Sequence, residues 1–242
     1  MRQLLLLCAL CLAPPTAQAE CRLALALGLD VSDSVDEREY RLQLDGVADA
    51  LETKSVQAAL FSMPQAHVDL AVYQWGAPNQ QHILVAWTTL RTSKDAADVA
   101  AQLRSSNLRF SDPTTAVGAA ITFGTELLKE RGLCWQHTLD ISGDGPSNAG
   151  PHPGGLPRDG WITINGLVIN PLGRDNIDKD LSLTQTLEHH YRTHVIRGPG
   201  SFIETAVDFD AFQQAMARKL LREVQILTVS ETTTQTIPSD LQ

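Results

Sequence analysis

The chain has few of the residues that nucleic-acid binding or redox chemistry needs. Only 5% of its 242 residues are aromatic, it has four cysteines, and its lysines and arginines form no cluster. With a formal net charge of −9, nucleic acid and anionic membranes are poor partners; cations, basic surfaces and proteins remain. There is no Gly-x-Ser-x-Gly elbow, no Walker loop and no dinucleotide glycine fingerprint, so the hydrolases, nucleotidases and oxidoreductases that announce themselves by those motifs are not indicated. The apolar stretch from Leu4 to Ala13 is too short to span a bilayer. It follows Arg2 and precedes the small-residue motif Ala17-Gln18-Ala19, so residues 1–19 read as a secretory signal peptide. Glu20 stands where a lipid-attachment site wants a small residue. The expected product is a soluble periplasmic or secreted protein starting near Glu20, with no stable membrane insertion.

What is there fits one α/β domain, with 43% hydrophobic residues to fill its core. Losing the leader removes Arg2, Cys8 and Cys11, taking the charge to −10 and leaving Cys21 and Cys134. Two cysteines in an oxidising compartment suggest one disulfide.

Apolar runs that read as strands alternate with amphipathic stretches that read as helices, the pattern of a mostly parallel sheet covered on both faces. Strands are expected at 23–29, 68–75, 82–87, 138–141 and 161–169, with a short one near Val195. "GAPNQ" reads as the linker of a hairpin. Helices are expected at 36–51, 95–103, 116–129, 183–191 and 208–224, with a shorter piece at 56–61 and Gly132 ending the helix at 116–129. The domain is expected to run from 20 to 226, and the polar tail 227–242 to be disordered.

In open α/β sheets, functional loops lie beyond the carboxyl ends of the strands. Two strands here end in oxygen donors. "LALALGLDVSDS" delivers Asp30, Ser32 and Ser34, and "HTLDISGDG" delivers Asp144; between them, "SDPTTAVGAAI" puts Thr114 and Thr115 at a helix start. Carboxylates and hydroxyls are hard ligands, suited to Mg2+, Mn2+ or Ca2+ rather than zinc. With few direct negative ligands the ion stays electrophilic and seeks one more carboxylate from outside. Each piece has a plainer alternative: Asp33 or Ser34 capping the following helix, Thr115 as an ordinary N-cap, Asp144-Gly145 as a turn.

Together, Asp30-x-Ser32-x-Ser34, Thr115 in "TAVG" and Asp144 in "SGDGPSN" resemble the metal-ion-dependent adhesion site of von Willebrand factor A-type (VWA) domains. The resemblance extends from Leu23 to about Val224. More narrowly, "DVSDSVDEREYRLQLDG", "DISGDGPSNAG", "ITINGLVI" and "VIRGPGSFIETAVDFDAF" resemble a group of secreted bacterial proteins filed as domain of unknown function 1194. The resemblance implies a doubly wound, Rossmann-like α/β sheet of six strands in the order 3-2-1-4-5-6, with one antiparallel edge strand and helices on both faces. It also implies that Ser32, Ser34 and Thr115 ligate the ion, that Asp30 and Asp144 hold it largely through water, and that a protein partner's acidic side chain completes the shell. Given that order, strands one and four are neighbours, and Cys21 and Cys134 stand at their starts; a Cys21–Cys134 disulfide is then expected at the end opposite the ion. Asp33 stands where the family pattern has glycine, and the loop from Gly150 to Gly160 is proline-rich where relatives carry a helix, implying a more open face.

The leading expectation is a non-enzymatic, cation-dependent protein-binding module. The alternatives are a magnesium-dependent phosphohydrolase using Asp30 as nucleophile, or a structural domain with a silent site. Ser32 argues against the former, since that chemistry usually places a second aspartate there. His190 and His194 lie one helical turn apart, but zinc needs a third ligand, and a solvated helix end is the simpler reading.

Overall fold

A computed structural model describes residues 20–32, 34–107, 114–170 and 185–232. The six strands are β1 (Glu20–Asp30), β2 (Ala66–Trp75), β3 (Gln81–Leu90), β4 (Gln136–Gly143), β5 (Ile162–Ile169) and β6 (Ile203–Ala206). They form one sheet in the order β3-β2-β1-β4-β5-β6. Only the β2–β3 pair is antiparallel, joined by the hairpin 76–80. The fold is therefore the VWA-like α/β architecture that the motifs implied.

Strand β1 shows how this sequence builds its layers. Side chains alternate across a strand, so "LALALGL" sends Leu23, Leu25, Leu27 and Leu29 into one core layer and Ala24 and Ala26 into the other. On the leucine face lie α1 (Glu37–Glu52), α2 (Lys54–Leu60), α3 (Ser93–Ser105) and α6 (Phe212–Thr232). On the alanine face lie α4 (Val117–Arg131) and α5, residues 185–190, which passes into a π-helical turn at Tyr191–Val195. The small residues on that side let α4 approach closely: the Tyr73 hydroxyl reaches across to donate to the Ala120 carbonyl at 2.8 Å.

The helix starts are fixed by local chemistry. Asp36, rather than Asp33 or Ser34, caps α1: its Oδ1 accepts from the Glu39 amide at 2.7 Å, while Glu39 Oε2 accepts from the Asp36 amide at 3.0 Å. Such a reciprocal cap is worth about 1 kcal/mol. Thr92 and Asp95 repeat the arrangement at α3. Capping therefore does not account for Ser34.

The sheet differs from expectation at its sixth strand. The segment near Val195 is a π-helical turn, because Tyr191 and Val195 bury one helical face together; only Arg197 beyond it bridges β5, opposite Ile164. The edge strand is instead Ile203–Ala206, paired parallel to β5. At the far end, α6 runs to Thr232, past the boundary expected at residue 226. The expected signal peptide (1–19), most of the expected tail (233–242) and Asp33 lie outside the described residues. Among the described residues, no helix is long and apolar enough to cross a membrane.

Cys21 and Cys134 are joined, with their Cα atoms 4.6 Å apart. Because β1 and β4 are adjacent and parallel, the disulfide ties their starting ends together, and their other ends carry Asp30 and Asp144. The Trp135 amide reinforces the tie by donating to the Cys21 carbonyl at 3.0 Å.

Candidate functional site

Parallel strands deliver their last residues to the same edge of the sheet, so the order β1-β4 alone brings Asp30 and the Asp144 loop side by side. Asp30 is completely buried at the end of β1, where its carbonyl accepts from the Gln43 amide group on α1 at 2.9 Å. Its Oδ1 accepts from the Ser32 backbone amide at 2.8 Å, which folds the chain back after the strand. Ser32 Oγ and Ser34 Oγ stand 3.4 Å apart, and the Ser34 hydroxyl donates to Asp144 Oδ1 at 2.7 Å. The β1 and β4 loops are thus joined side chain to side chain.

Thr115 comes to the same edge through the Asp144 loop. Its amide donates to Asn148 Oδ1 at 2.8 Å, and its carbonyl accepts from the Asn148 amide at 2.9 Å and the Ala149 amide at 3.3 Å. Ser147 Oγ donates to the same carbonyl at 3.5 Å. Asn148 is a residue the sequence reading did not single out, though it belongs to the "SGDGPSN" block. The loop from Gly150 to Gly160 is anchored from below: buried Arg197 donates to the carbonyls of Pro153 (3.0 Å), Pro157 (3.2 Å) and Leu156 (3.4 Å).

Each of the two aspartates keeps one oxygen, Oδ2, buried and without a hydrogen-bond partner. Buried polar groups are almost always paired, so two orphaned carboxylate oxygens in one place mark an incomplete set. The Ser32 hydroxyl and the Asp144 amide ease the Asp30 charge without closing a hydrogen bond to Oδ2. Gly143 lies against Asp30 Oδ2, and a Cβ there would stand 2.9 Å from that oxygen and 2.5 Å from the Tyr191 hydroxyl. Only glycine leaves the room. The Tyr191 hydroxyl and the Trp75 indole N–H are themselves buried without partners.

The electrostatics agree. Burial, with the Asp144 charge second, pushes the Asp30 carboxyl up to about 8. Burial also raises Asp144, against the opposing Ser34 hydrogen bond. Tyr191 is held well above the ordinary phenol range by burial and then by the Asp30, Asp144 and Asp140 charges. Two carboxylates in this setting need either protons or a cation. The donors gathered here, carboxylate and hydroxyl oxygens without sulfur or imidazole, suit a hard divalent ion.

A second group of ligand-type residues, Cys21, His67 and Asp69, sits at the opposite end of the sheet. The Cys21 sulfur is committed to Cys134, and Asp69 is paired with Arg131 and accepts from Thr89 Oγ1 at 2.6 Å. That group is a structural tie.

No curated protein matches the sequence. Among solved structures, the fold is similar to proximal thread matrix protein 1 from the mussel byssus, at 15% identity and a TM-score of 0.55, over 87% of this chain and 49% of that one. The byssus protein is also known with a zinc-occupied MIDAS motif, the metal-ion-dependent adhesion site. The pilus adhesin SpaC from Lactobacillus rhamnosus GG matches at 11% identity and a TM-score of 0.58, over 86% of this chain and 31% of that one. The PilB minor pilin from Streptococcus sanguinis matches at 10% and 0.59, over 88% of this chain and 64% of that one. The chain thus spans between 31% and 64% of these larger proteins, and the likeness is one of fold. At the level of family, residues 20–228 match the one described as "Protein of unknown function (DUF1194)", and the chain belongs to it.

Proposed function

We propose that this protein is an extracytoplasmic, non-enzymatic binding module that holds a divalent cation, Mg2+ or else Mn2+ or Ca2+, and through it an acidic side chain of a protein partner. Asp30, Ser32, Ser34, Thr115 and Asp144 are the proposed ion-holding residues. The observation that carries the reading is the pair of unpartnered buried oxygens, Asp30 Oδ2 and Asp144 Oδ2, on loops already tied by the Ser34 hydrogen bond. A hard cation satisfies both carboxylates at once. With most of its other donors neutral, it retains affinity for one more carboxylate. Extracytoplasmic location is supported by the Cys21–Cys134 disulfide and by the signal-peptide pattern of residues 1–19. The adhesins and the matrix protein with the same fold are consistent with binding rather than catalysis.

The test is calorimetric titration of Mg2+ into the wild type and Asp30→Ala, followed by capture of partners from periplasmic extract with and without chelator. Saturable magnesium heat lost in the variant, with chelator-sensitive capture, is the expected result. Equal heats in both proteins would remove the ion from the site. Magnesium-dependent turnover of a phosphoester, lost in Asp30→Ala, would favour a hydrolase instead.

A further inference from the structure

The turn that follows α5 brings together three imidazoles that sequence spacing alone does not gather. His190 and His194 lie on successive turns, and the missing third ring comes from His152, in the loop after β4. The ring centroids are 4.8 Å apart for His152 and His194, 5.3 Å for His190 and His194, and 6.3 Å for His152 and His190. Three imidazoles on one four-coordinate ion, with metal–nitrogen bonds of about 2.0–2.1 Å, have ring centroids roughly 5 Å apart. The observed spacings bracket that value. The rings meet at interplanar angles of 59° to 82°, one pair tilted and two edge to face.

We infer that His152, His190 and His194 form a second metal site, for a borderline transition ion of the zinc type, separate from the Asp30–Asp144 site.

Three features support it. The His190 Nε2 atom is buried and has no hydrogen-bond partner, although a buried ring nitrogen normally finds one. His152 Nδ1 accepts from the Gly154 amide at 3.2 Å, so in the neutral ring the proton sits on Nε2 and Nδ1 is the lone-pair atom that an ion would take over from that amide. Gly154 also makes the cluster possible, since a Cβ there would stand 2.8 Å from His194 Nδ1. The backbone contributes as well. Ile196 donates to the Tyr191 carbonyl at 2.9 Å, the i to i+5 bond of a π turn, a widened geometry that is rare and found frequently at functional sites. The ring nitrogens do not all lie within 4.8 Å of one another, so an ion has to draw the three side chains together, with water in the fourth position. Imidazole suits zinc, copper and nickel but not magnesium, so the two sites select different ions.

This inference does not depend on the proposed adhesion function, and the experiment keeps the two apart. Zinc is titrated calorimetrically into the disulfide-intact protein in saturating Mg2+, using wild type, His152→Ala and Ser34→Ala; far-ultraviolet circular dichroism verifies folding. The expected result is one zinc per wild-type chain, an affinity reduced more than ~10-fold in His152→Ala, and an unchanged affinity in Ser34→Ala. Co2+ substitution gives a second readout, the intense visible bands of a four-coordinate ion, absent in His194→Gln. The inference is overturned by zinc uptake that is absent in wild type, equal in His152→Ala, or lost in Ser34→Ala. A pale, six-coordinate Co2+ spectrum overturns it too. Loss of magnesium binding alone would count against the Asp30–Asp144 reading and leave this one standing.

Discussion

The Ser34 hydroxyl donates to Asp144 Oδ1 at 2.7 Å, joining two loops whose residues are 110 positions apart in sequence. Since Asp36 caps α1, this bond gives Ser34 a role beyond starting a helix. It also leaves Asp144 one buried oxygen without a partner, in a carboxylate whose charge acts on Asp30. Without a cation, the two carboxyl groups held there must either repel as charges or take up a proton, and both oppose folding. Asp144→Asn is therefore expected to raise the melting temperature in chelator, by an amount equivalent to about 1 kcal/mol, and to abolish stabilisation by Mg2+. Differential scanning fluorimetry with and without Mg2+ reads both effects. A variant that loses stability in chelator and keeps its magnesium response would show that the two carboxylates are not a cation pair.

The same pair predicts a pH dependence of definite sign. Asp30 is pushed up to about 8 in the folded protein, mainly by burial, from an unfolded value near 3.8. The folded state therefore binds more protons than the unfolded state between those values, and stability falls as pH rises through that window. The slope per group is at most about 1.4 kcal/mol per pH unit. Asp140, pushed up to about 7 by burial against the Lys219 charge, adds to the fall below neutrality. Urea midpoints in chelator are expected to drop from pH 5 to pH 8. Saturating Mg2+ should remove the Asp30 share and leave the Asp140 share. A midpoint that rises over this range in chelator would contradict both assignments.

The parts of this architecture that were legible in the sequence are those governed by local rules. The alternation of apolar runs with amphipathic stretches and the hard-oxygen clusters at two strand ends were readable, and with the family resemblance they led to the strand order and the disulfide. What was not legible depends on residues that meet only after folding. Tyr191 looks like an ordinary core aromatic of a helix, yet its hydroxyl lies against Gly143 beside Asp30. The strand expected near Val195 failed because "YRTHVI" is apolar enough for either element, and burial of Tyr191 with Val195 decides for a helical turn. His152 carries no local signal at all, sitting in a proline- and glycine-rich loop until that loop folds against His194.

The disulfide is predicted to act on stability and not on the site. It closes a loop of 113 residues, so on the chain-entropy view its removal by the double variant Cys21→Ala/Cys134→Ala lowers unfolding free energy by roughly 3–5 kcal/mol. The bond joins the starts of β1 and β4, while the aspartates stand at their ends. Magnesium affinity, measured well below the lowered melting temperature, is expected to stay within about twofold of wild type, since additivity holds for distant sites. A large loss of affinity in a variant that remains folded would mean that the strands transmit strain along their length.

A final prediction concerns a charge cluster buried between β4 and α6. Lys219 is fully buried, with its Nζ 2.8 Å from Asp140 Oδ2 and 2.8 Å from Glu223 Oε1. Asn165 extends the cluster, donating to Glu223 Oε1 at 2.8 Å and accepting the Phe202 amide at 3.1 Å, which ties β5 to the turn before β6. One cation thus serves two buried carboxylates. The attraction to Asp140 and Glu223 outweighs burial and raises the Lys219 pKa, so the ammonium stays charged. Removing it alone leaves two uncompensated acids in an apolar layer, a change that typically costs about 3–5 kcal/mol. Lys219→Met is expected to be among the most destabilising single changes outside the hydrocarbon core, and more so at pH 8 than at pH 5, because protonation at lower pH relieves the abandoned Asp140. Combining it with Asp140→Asn should recover a substantial part of the loss, a coupling that a double-mutant cycle in urea measures directly. Strict additivity of the two changes would show that Lys219 is held by packing against α6 rather than by the charge of Asp140.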